Sequence, residues 1–195
     1  MCIRDRFGAA EEISDAQIDR QVATNLVGSI QLVRASLPFL REQGGGRFMQ
    51  VSSEGGQTTY PNFSVYHATK WGIEGFVEAV AQEVAPFGID FVIVEPGPTG
   101  TDFGANLDQA DPSQVYDSTP SGDLRRLLTS GAFTLTGDAE RTVDAMIAAG
   151  DADRPPLRLA LTSIAYEHIS QALAARLSAL EAQRLVAFSA DANRT

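Results

Sequence analysis

Residues 47–94 read RFMQVSSEGGQTTYPNFSVYHATKWGIEGFVEAVAQEVAPFGIDFVIV, and this stretch decides the fold. It opens on a short, mostly apolar run, Arg47 to Ser52, which reads as a buried strand. Tyr60-Pro61-Asn62 is a turn signal. Ser64 is placed to cap a helix over about 65–85, which Pro86 and Gly88 then end. Phe91-Val92-Ile93-Val94 is β-branched, aromatic and uninterrupted, as in a strand covered on both faces. Strand, helix and strand in this order predict a right-handed crossover and a parallel sheet, so the class is α/β.

Upstream, Ser14-Asp15-Ala16-Gln17 is a capping box and marks a helix start. Ile18, Val22, Leu26, Ile30, Val33, Leu37 and Leu40 then recur at steps of three and four, one apolar stripe on a long helix. Pro38 is a place for it to bend, and Gly44-Gly45-Gly46 stops it. Downstream, residues 96–122 are dense in proline and glycine and read as a long loop with one or two short helical pieces. Loops of that length in a compact domain are usually functional. Helices are expected at about 123–130 and 138–149, a third strand at 157–161 and a last amphipathic helix from Ser163 to about Phe188.

Composition narrows the function. A chain of 195 residues with 44% hydrophobic and 21% charged residues suits a single soluble domain. The net charge of −10 argues against nucleic acid and against an anionic membrane surface as partners. No apolar run reaches the roughly 18 residues of a spanning helix, and a cytoplasmic location is the default. Cys2, His67 and His168 are too few and too scattered for a metal centre, so no metal is expected. The first six residues, Met1 to Arg6, resemble a translated adapter from sequencing-library construction and are set aside from fold reasoning. Residues 7–195 are then one partial domain with its substrate loop at about 96–122.

Tyr66-His67-Ala68-Thr69-Lys70 carries the chemistry. A tyrosine and a lysine four apart on a helix share a face, with Cβ atoms about 5–6 Å apart. A phenol has a pKa of about 10, and a neighbouring ammonium favours phenolate and brings that value down. The pair is a general acid/base candidate. The pattern is short, but Lys70 is the one lysine among 15 Lys and Arg residues, and chance would place it four after a tyrosine about one time in fifty. Ser52-Ser53 lies at the carboxyl end of the first strand, where ligands of open parallel sheets bind. A hydroxyl there can hold a substrate oxygen, or merely bond its own turn. Pro96 to Thr101 follows the second strand at the same edge, suited to bonding a flat amide or forming only a turn. Asn25 is a poor mid-helix residue, a kind of violation that often marks a functional site.

Together, Val51-Ser52-Ser53 with Ser53 thirteen before Tyr66, Tyr66-x-x-x-Lys70, Pro96-Gly97-x-x-x-Thr101 and Asn25-x-x-Gly28 resemble the short-chain dehydrogenase/reductase family. The resemblance runs from about Phe7 to the last helix. It implies the C-terminal part of a Rossmann-like, doubly wound parallel sheet, about three strands with flanking helices, and an alcohol/carbonyl oxidoreductase using NAD or NADP. It implies Tyr66 as acid/base and Lys70 as the residue that lowers its pKa and holds the nicotinamide ribose. By the same resemblance Ser53 orients the substrate, and the Asn25 backbone holds a relay water. Pro96, Gly97, Thr99 and Thr101 would line the nicotinamide, with Tyr66 and Lys70 also touching the cofactor. A small-molecule alcohol or ketone would be the substrate, and a homodimer or homotetramer the assembly of the full-length parent.

One departure is large. The family's Gly-rich T-G-x-x-x-G-x-G turn, which receives the pyrophosphate at a helix N-terminus, is absent from this sequence, as are its N-A-G segment and its NAD/NADP-selecting residue. The strand at 47–52 would then show an apolar edge. The chain alone is expected to bind cofactor poorly and to be inactive, its parent to be an enzyme. The alternative is a non-catalytic binding or interaction protein that keeps the fold without the dinucleotide site. An epimerase or dehydratase relative is a further reading, against which the short C-terminal tail weighs. His67 reads as a surface or interface residue, and the acidic excess as a solvated surface. Ala68, Gly72, Gly75 and Ala79 form a small-residue stripe that either admits a partner helix or packs on its own sheet. Tyr60, Phe63, Phe103, Leu107 and Tyr116 hint at an apolar pocket.

Overall fold

A computed structural model describes residues 5–132 and 135–192. Three parallel strands form the main sheet, in the order β2-β3-β5. β2 (Gly46–Val51) runs beside β3 (Ile89–Pro96) with Val51 opposite Val94, and β5 (Arg158–Leu161) lies on the other side of β3, with Leu161 opposite Pro96. β3 is central, and its residues from Phe91 to Glu95 are all buried, as its unbroken apolar run predicts.

Alternate residues of β3 point to opposite faces, and helices cover both. On one face Phe91, Ile93 and Ile89 pack with Val33 of α2 (Gly28–Glu42) and with Ile73, Val77, Val80 and Val84 of α3 (Ser64–Val84). On the other, α5 (Ala139–Asp151) lies against β3, with Gly150 close to Met49 of β2. α6 (Ser163–Ala182) follows β5, and a short α7 (Arg184–Ser189) follows a break at Gln183 where one continuous helix was expected. α4 (Pro120–Thr129) begins at a Thr119 cap, three residues before the expected start. Among the described residues β2 has no second neighbour, its side chains are half-exposed and Val51 is 47% exposed.

Two features were not foreseen. The expected long helix starts at its Ser14 capping box as α1 (Asp15–Val22) but passes through a π-helical turn, Ala23–Val27, before continuing as α2. In addition, β1 (Arg6–Phe7) pairs in parallel with β4 (Asp108–Gln109), a two-residue ladder inside what the sequence presents as loop. Phe7 is buried and meets the Phe63 ring edge-on at 5.1 Å. Residues 1–4 of the adapter-like start lie outside the described residues. Asp5 and Arg6 are packed, Asp5 accepting from Gln21 and Asn25 and the buried Arg6 pairing with Asp108. Among the described residues no helix is long and apolar enough to cross a membrane.

Candidate active site

The parallel register brings the carboxyl ends of β2 and β3 to one edge, where the Ser52 N–H donates to the Val94 carbonyl at 2.8 Å. Ser53 leaves β2 extended and caps a one-turn 3-10 helix, Glu54–Gly56, its hydroxyl accepting from the Gly55 N–H at 3.1 Å. Ser52 turns the other way, into the interior, and donates to Glu74 of α3. Glu74 also accepts from Gln57 and from Arg158, whose guanidinium reaches Glu78 and Glu95 as well. Part of the acidic excess is therefore buried around one arginine rather than spread over a solvated surface. Gly56 is closed in by this network, since a Cβ there would lie 1.7 Å from Glu74 Oε1. Gly56→Ala is expected to destabilise the chain by about 1–3 kcal/mol, read as a lower denaturant midpoint.

α3 presents Tyr66 and Lys70 to this edge from successive turns. The Lys70 Nζ sits 5.6 Å from the Tyr66 ring centroid and donates to the Val51 carbonyl at 3.3 Å. Phe63 and Phe103 flank the phenol ring at 5.8 and 6.0 Å, so two members of the expected apolar pocket stand beside it. Leu107 and Tyr116 are half-buried in the loop beyond. Burial pushes the Tyr66 phenol above its usual value; the Ser53 hydroxyl opposes this by hydrogen bonding, and the carboxylates of Asp5, Glu54 and Glu74 add to it. The net shift of the phenol is thus upward, against the lowering expected of Lys70. The ammonium is turned to the Val51 carbonyl, and burial outweighs it. Lys70 is itself pushed down by burial, against the pull of Asp5 and Glu74.

Asn25 lies in the π-helical turn, whose wider ring sends the Gly28 N–H back to the Ala23 carbonyl. That turn is the structural form of the rule violation seen in the sequence, and such turns are frequent at functional sites. The Asn25 amide donates to Asp5 at 2.6 Å, and its carbonyl accepts the Ser29 hydroxyl at 3.1 Å. Asp5 thus links Asn25 to the charge environment of Lys70.

The loop after β3 stands at the next strand end. Gly97 donates to the Leu161 carbonyl at 3.0 Å, and a Cβ on it would come within 2.4 Å of Thr162 Oγ1. The Thr99 hydroxyl is spent on the Gly97 carbonyl at 2.9 Å, and Thr101 is exposed. Pro98 and Gly100 bond Gly137, which fastens the loop to the segment before α5. The structure thus gathers Ser53, Tyr66 and Lys70 at one spot, with Pro96 and Gly97 at the adjacent strand end and Asn25 reached through Asp5.

Sequence reasoning missed a second cluster beside Ser53. The buried Glu54 accepts the Tyr60 hydroxyl at 2.9 Å and lies 3.1 Å from His168 Nδ1 of α6. Burial first and then Glu54 push the Tyr60 phenol up, and while its hydroxyl is committed to this cluster, Tyr60 also lines an open apolar recess with Ser64, Ala68 and Trp71. His67 is buried against the same segment of its own chain, where a surface or interface residue was expected. Adjacency of Glu54 to Ser53 was the one available signal; His168, over a hundred residues away, offered none. Within the small-residue stripe Gly72 approaches Leu26, while Ala68, Gly75 and Ala79 are exposed and do not pack on the sheet.

A family model described as short chain dehydrogenase matches residues 3–112. An oxidoreductase from Botryotinia fuckeliana is 34% identical over 165 residues, 84% of this chain and 60% of that protein. One from Penicillium decumbens is 27% identical over 183 residues, again 60% of its length. The chain therefore spans about 60% of these curated relatives. A solved short-chain dehydrogenase from Streptomyces avermitilis superposes with a TM-score of 0.85 at 32% identity, covering 95% of this chain and 67% of that one. Another, from Burkholderia cenocepacia in complex with NADP, shares the fold with a TM-score of 0.67 at 23% identity, covering 92% of this chain and 64% of that one.

Proposed function

The chain belongs to the short chain dehydrogenase family, and from that premise we propose that it supplies the catalytic half of an NAD- or NADP-dependent oxidoreductase interconverting a small alcohol and its carbonyl. The observation that carries the reading is Tyr66 and Lys70 on one face of α3, set against Ser53 at the carboxyl end of β2.

In reduction the Tyr66 hydroxyl gives its proton to the carbonyl oxygen while the Ser53 hydroxyl donates a hydrogen bond to the same oxygen; in oxidation the proton returns to Tyr66. The nicotinamide cofactor, when bound, supplies or accepts the hydride. The residues fit its ribose end: the Lys70 ammonium carries three donors and spends one on Val51, which leaves two for ribose hydroxyls. Pro96, Gly97, Thr99 and Thr101 would line the nicotinamide, and the Asn25 carbonyl would hold a water that passes protons toward Lys70. Nothing in this sequence fits the pyrophosphate, so we assign that role to a Gly-rich segment outside these residues. The chain alone would then bind cofactor weakly and not turn over. A cytoplasmic homodimer or homotetramer accompanies this reading of the parent.

A phenol held above its ordinary value stays protonated through neutral pH. Carbonyl reduction is therefore expected to be flat from about pH 6 to 8, and alcohol oxidation to keep rising through about pH 10 without a plateau as the phenolate fraction grows. Initial rates in both directions check this.

The test is to read the source DNA upstream of the Phe7 codon and express the whole frame. The expected result is an in-frame strand and T-G-x-x-x-G-x-G turn, and a product that consumes NADH or NADPH with an aldehyde or ketone. A stop codon just upstream of Met1, with no cofactor binding, overturns the enzyme reading. The missing Gly-rich turn would then favour the non-catalytic binding protein.

A further inference from the structure

Between Tyr66 and Lys70, α3 carries a histidine that the chemistry above does not use. His67 is 4% exposed, and main-chain atoms of the segment after Ser53 occupy both of its ring nitrogens. Nε2 accepts from the Tyr60 N–H at 2.8 Å, and Nδ1 lies 2.7 Å from the Gly55 carbonyl. An amide N–H can only donate and a carbonyl can only accept. One state of the ring satisfies both: neutral, with its proton on Nδ1. The turn rests directly on this ring, since a Cβ on Gly55 would meet His67 Nδ1 at 2.8 Å and the Tyr66 ring at 3.2 Å. Ser53 is tied to the same turn, its hydroxyl accepting the Gly55 N–H and its carbonyl accepting the Gly56 N–H at 2.9 Å.

We propose that His67 is a positioning residue: a neutral imidazole protonated on Nδ1 that pins residues 55 and 60 to α3 and so fixes the Ser53 hydroxyl against Tyr66. The catalytic meaning rests on the Ser53–Tyr66 reading given above; the pin itself does not. The groups facing the ring are Glu54 on the 3-10 turn, Tyr60 on the loop, Tyr66 on α3 and, through the Tyr60 hydroxyl, His168 on α6. Burial pushes the imidazole down, against the Gly55 carbonyl bond and the Glu54 charge. A doubly protonated ring would set Nε2–H against the Tyr60 N–H, two donors with no acceptor, and release the turn.

The first measurement is a long-range proton–nitrogen spectrum of the 195-residue chain. The expected pattern is a neutral Nδ1–H ring that stays neutral at about pH 5.5, where a free imidazole of pKa about 6.5 is mostly charged. An Nε2–H ring, or titration at the ordinary value, overturns the proposal. In His67→Phe, which keeps a flat ring without either bond, exchange of the Tyr60 and Gly55 amides is expected to quicken by about tenfold or more while Val92 and Ile93 stay protected. His67→Gln, which carries a donor and an acceptor, is expected to recover part of that protection; unchanged exchange in the Phe variant overturns the pin. Should the Phe variant lose protection throughout, the Gln variant and the wild-type ring spectrum decide. The Tyr66 ring-carbon resonance separates the two readings. Ser53→Ala and His67→Phe are both expected to move it in the same direction. A response to Ser53→Ala alone overturns the positioning role. No response to Ser53→Ala overturns the Ser53–Tyr66 reading instead, whatever the imidazole spectrum shows.

Discussion

Tyr66→Phe, in the complete enzyme, is expected to lower kcat by about 10²–10⁴ with the fold intact. The substitution deletes one oxygen. The ring contacts with Phe63, His67 and Phe103 are kept, so the melting temperature should hold and the loss should fall on proton transfer. Because the step removed belongs to the transition state, kcat and kcat/KM should fall together. Lys70→Arg should also be impaired, since a planar guanidinium cannot occupy the place of a compact ammonium beneath the Val51 carbonyl. Steady-state rates with NADH or NADPH, paired with cofactor-binding titrations, make the comparison. Retention of more than about a tenth of kcat by Tyr66→Phe would remove the phenol from the chemistry.

Arg158→Met is expected to cost about 3–5 kcal/mol of stability near neutral pH, the penalty for leaving buried charge unpaired. Arg158 sits among Glu74, Glu78 and Glu95, and the Glu74 and Glu95 side chains are only 2% and 3% exposed. Burial, then Glu74, already holds the Glu95 carboxyl above the usual carboxylate range, with Arg158 the main opposing influence. Without the guanidinium that carboxyl rises further. A carboxyl whose folded value exceeds its unfolded value binds more protons when folded, so its contribution to stability is full at low pH and is lost as pH rises through the folded value. The deficit of the variant should therefore be smaller at about pH 5 than at about pH 8, the reverse of ordinary acid sensitivity. Urea unfolding of the chain at both pH values measures it. An equal deficit at the two values would show that Glu95 stays charged without its partner.

Much of this architecture is legible in the residues. The β-branched run at 91–94 and the helix from Ser64 stand within two residues of where the spacing puts them, and Ser53, Tyr66 and Lys70 meet as the strand–helix order requires. What escaped reading has physical reasons. A two-residue strand such as β1 or β4 is too short to show a period. The burial of Glu74, Glu95 and Arg158 is decided by a contact between α3 and two strands, and a glutamate on a helix looks the same whether it faces water or an arginine. His67 was misjudged because helix spacing tells which face a residue takes, but not whether a loop returns to cover that face.

The π-helical turn at Ala23–Val27 has a consequence for how this helix tolerates change. A five-back bond spends one more residue than an α-turn, and one residue is about 100° of helix rotation. Val33 reaches the core and Ser14 caps the start only because that surplus residue is absorbed between them. Excising a single residue from 23–27 would let the helix straighten into regular α geometry with both ends still in phase, whereas the same excision on either side of the turn would swing the residues between it and the turn by about 100°. The turn is therefore the place where this helix can lose a residue and keep both the Val33 core contact and the Ser14 cap, at the cost of the widened backbone that carries Asn25.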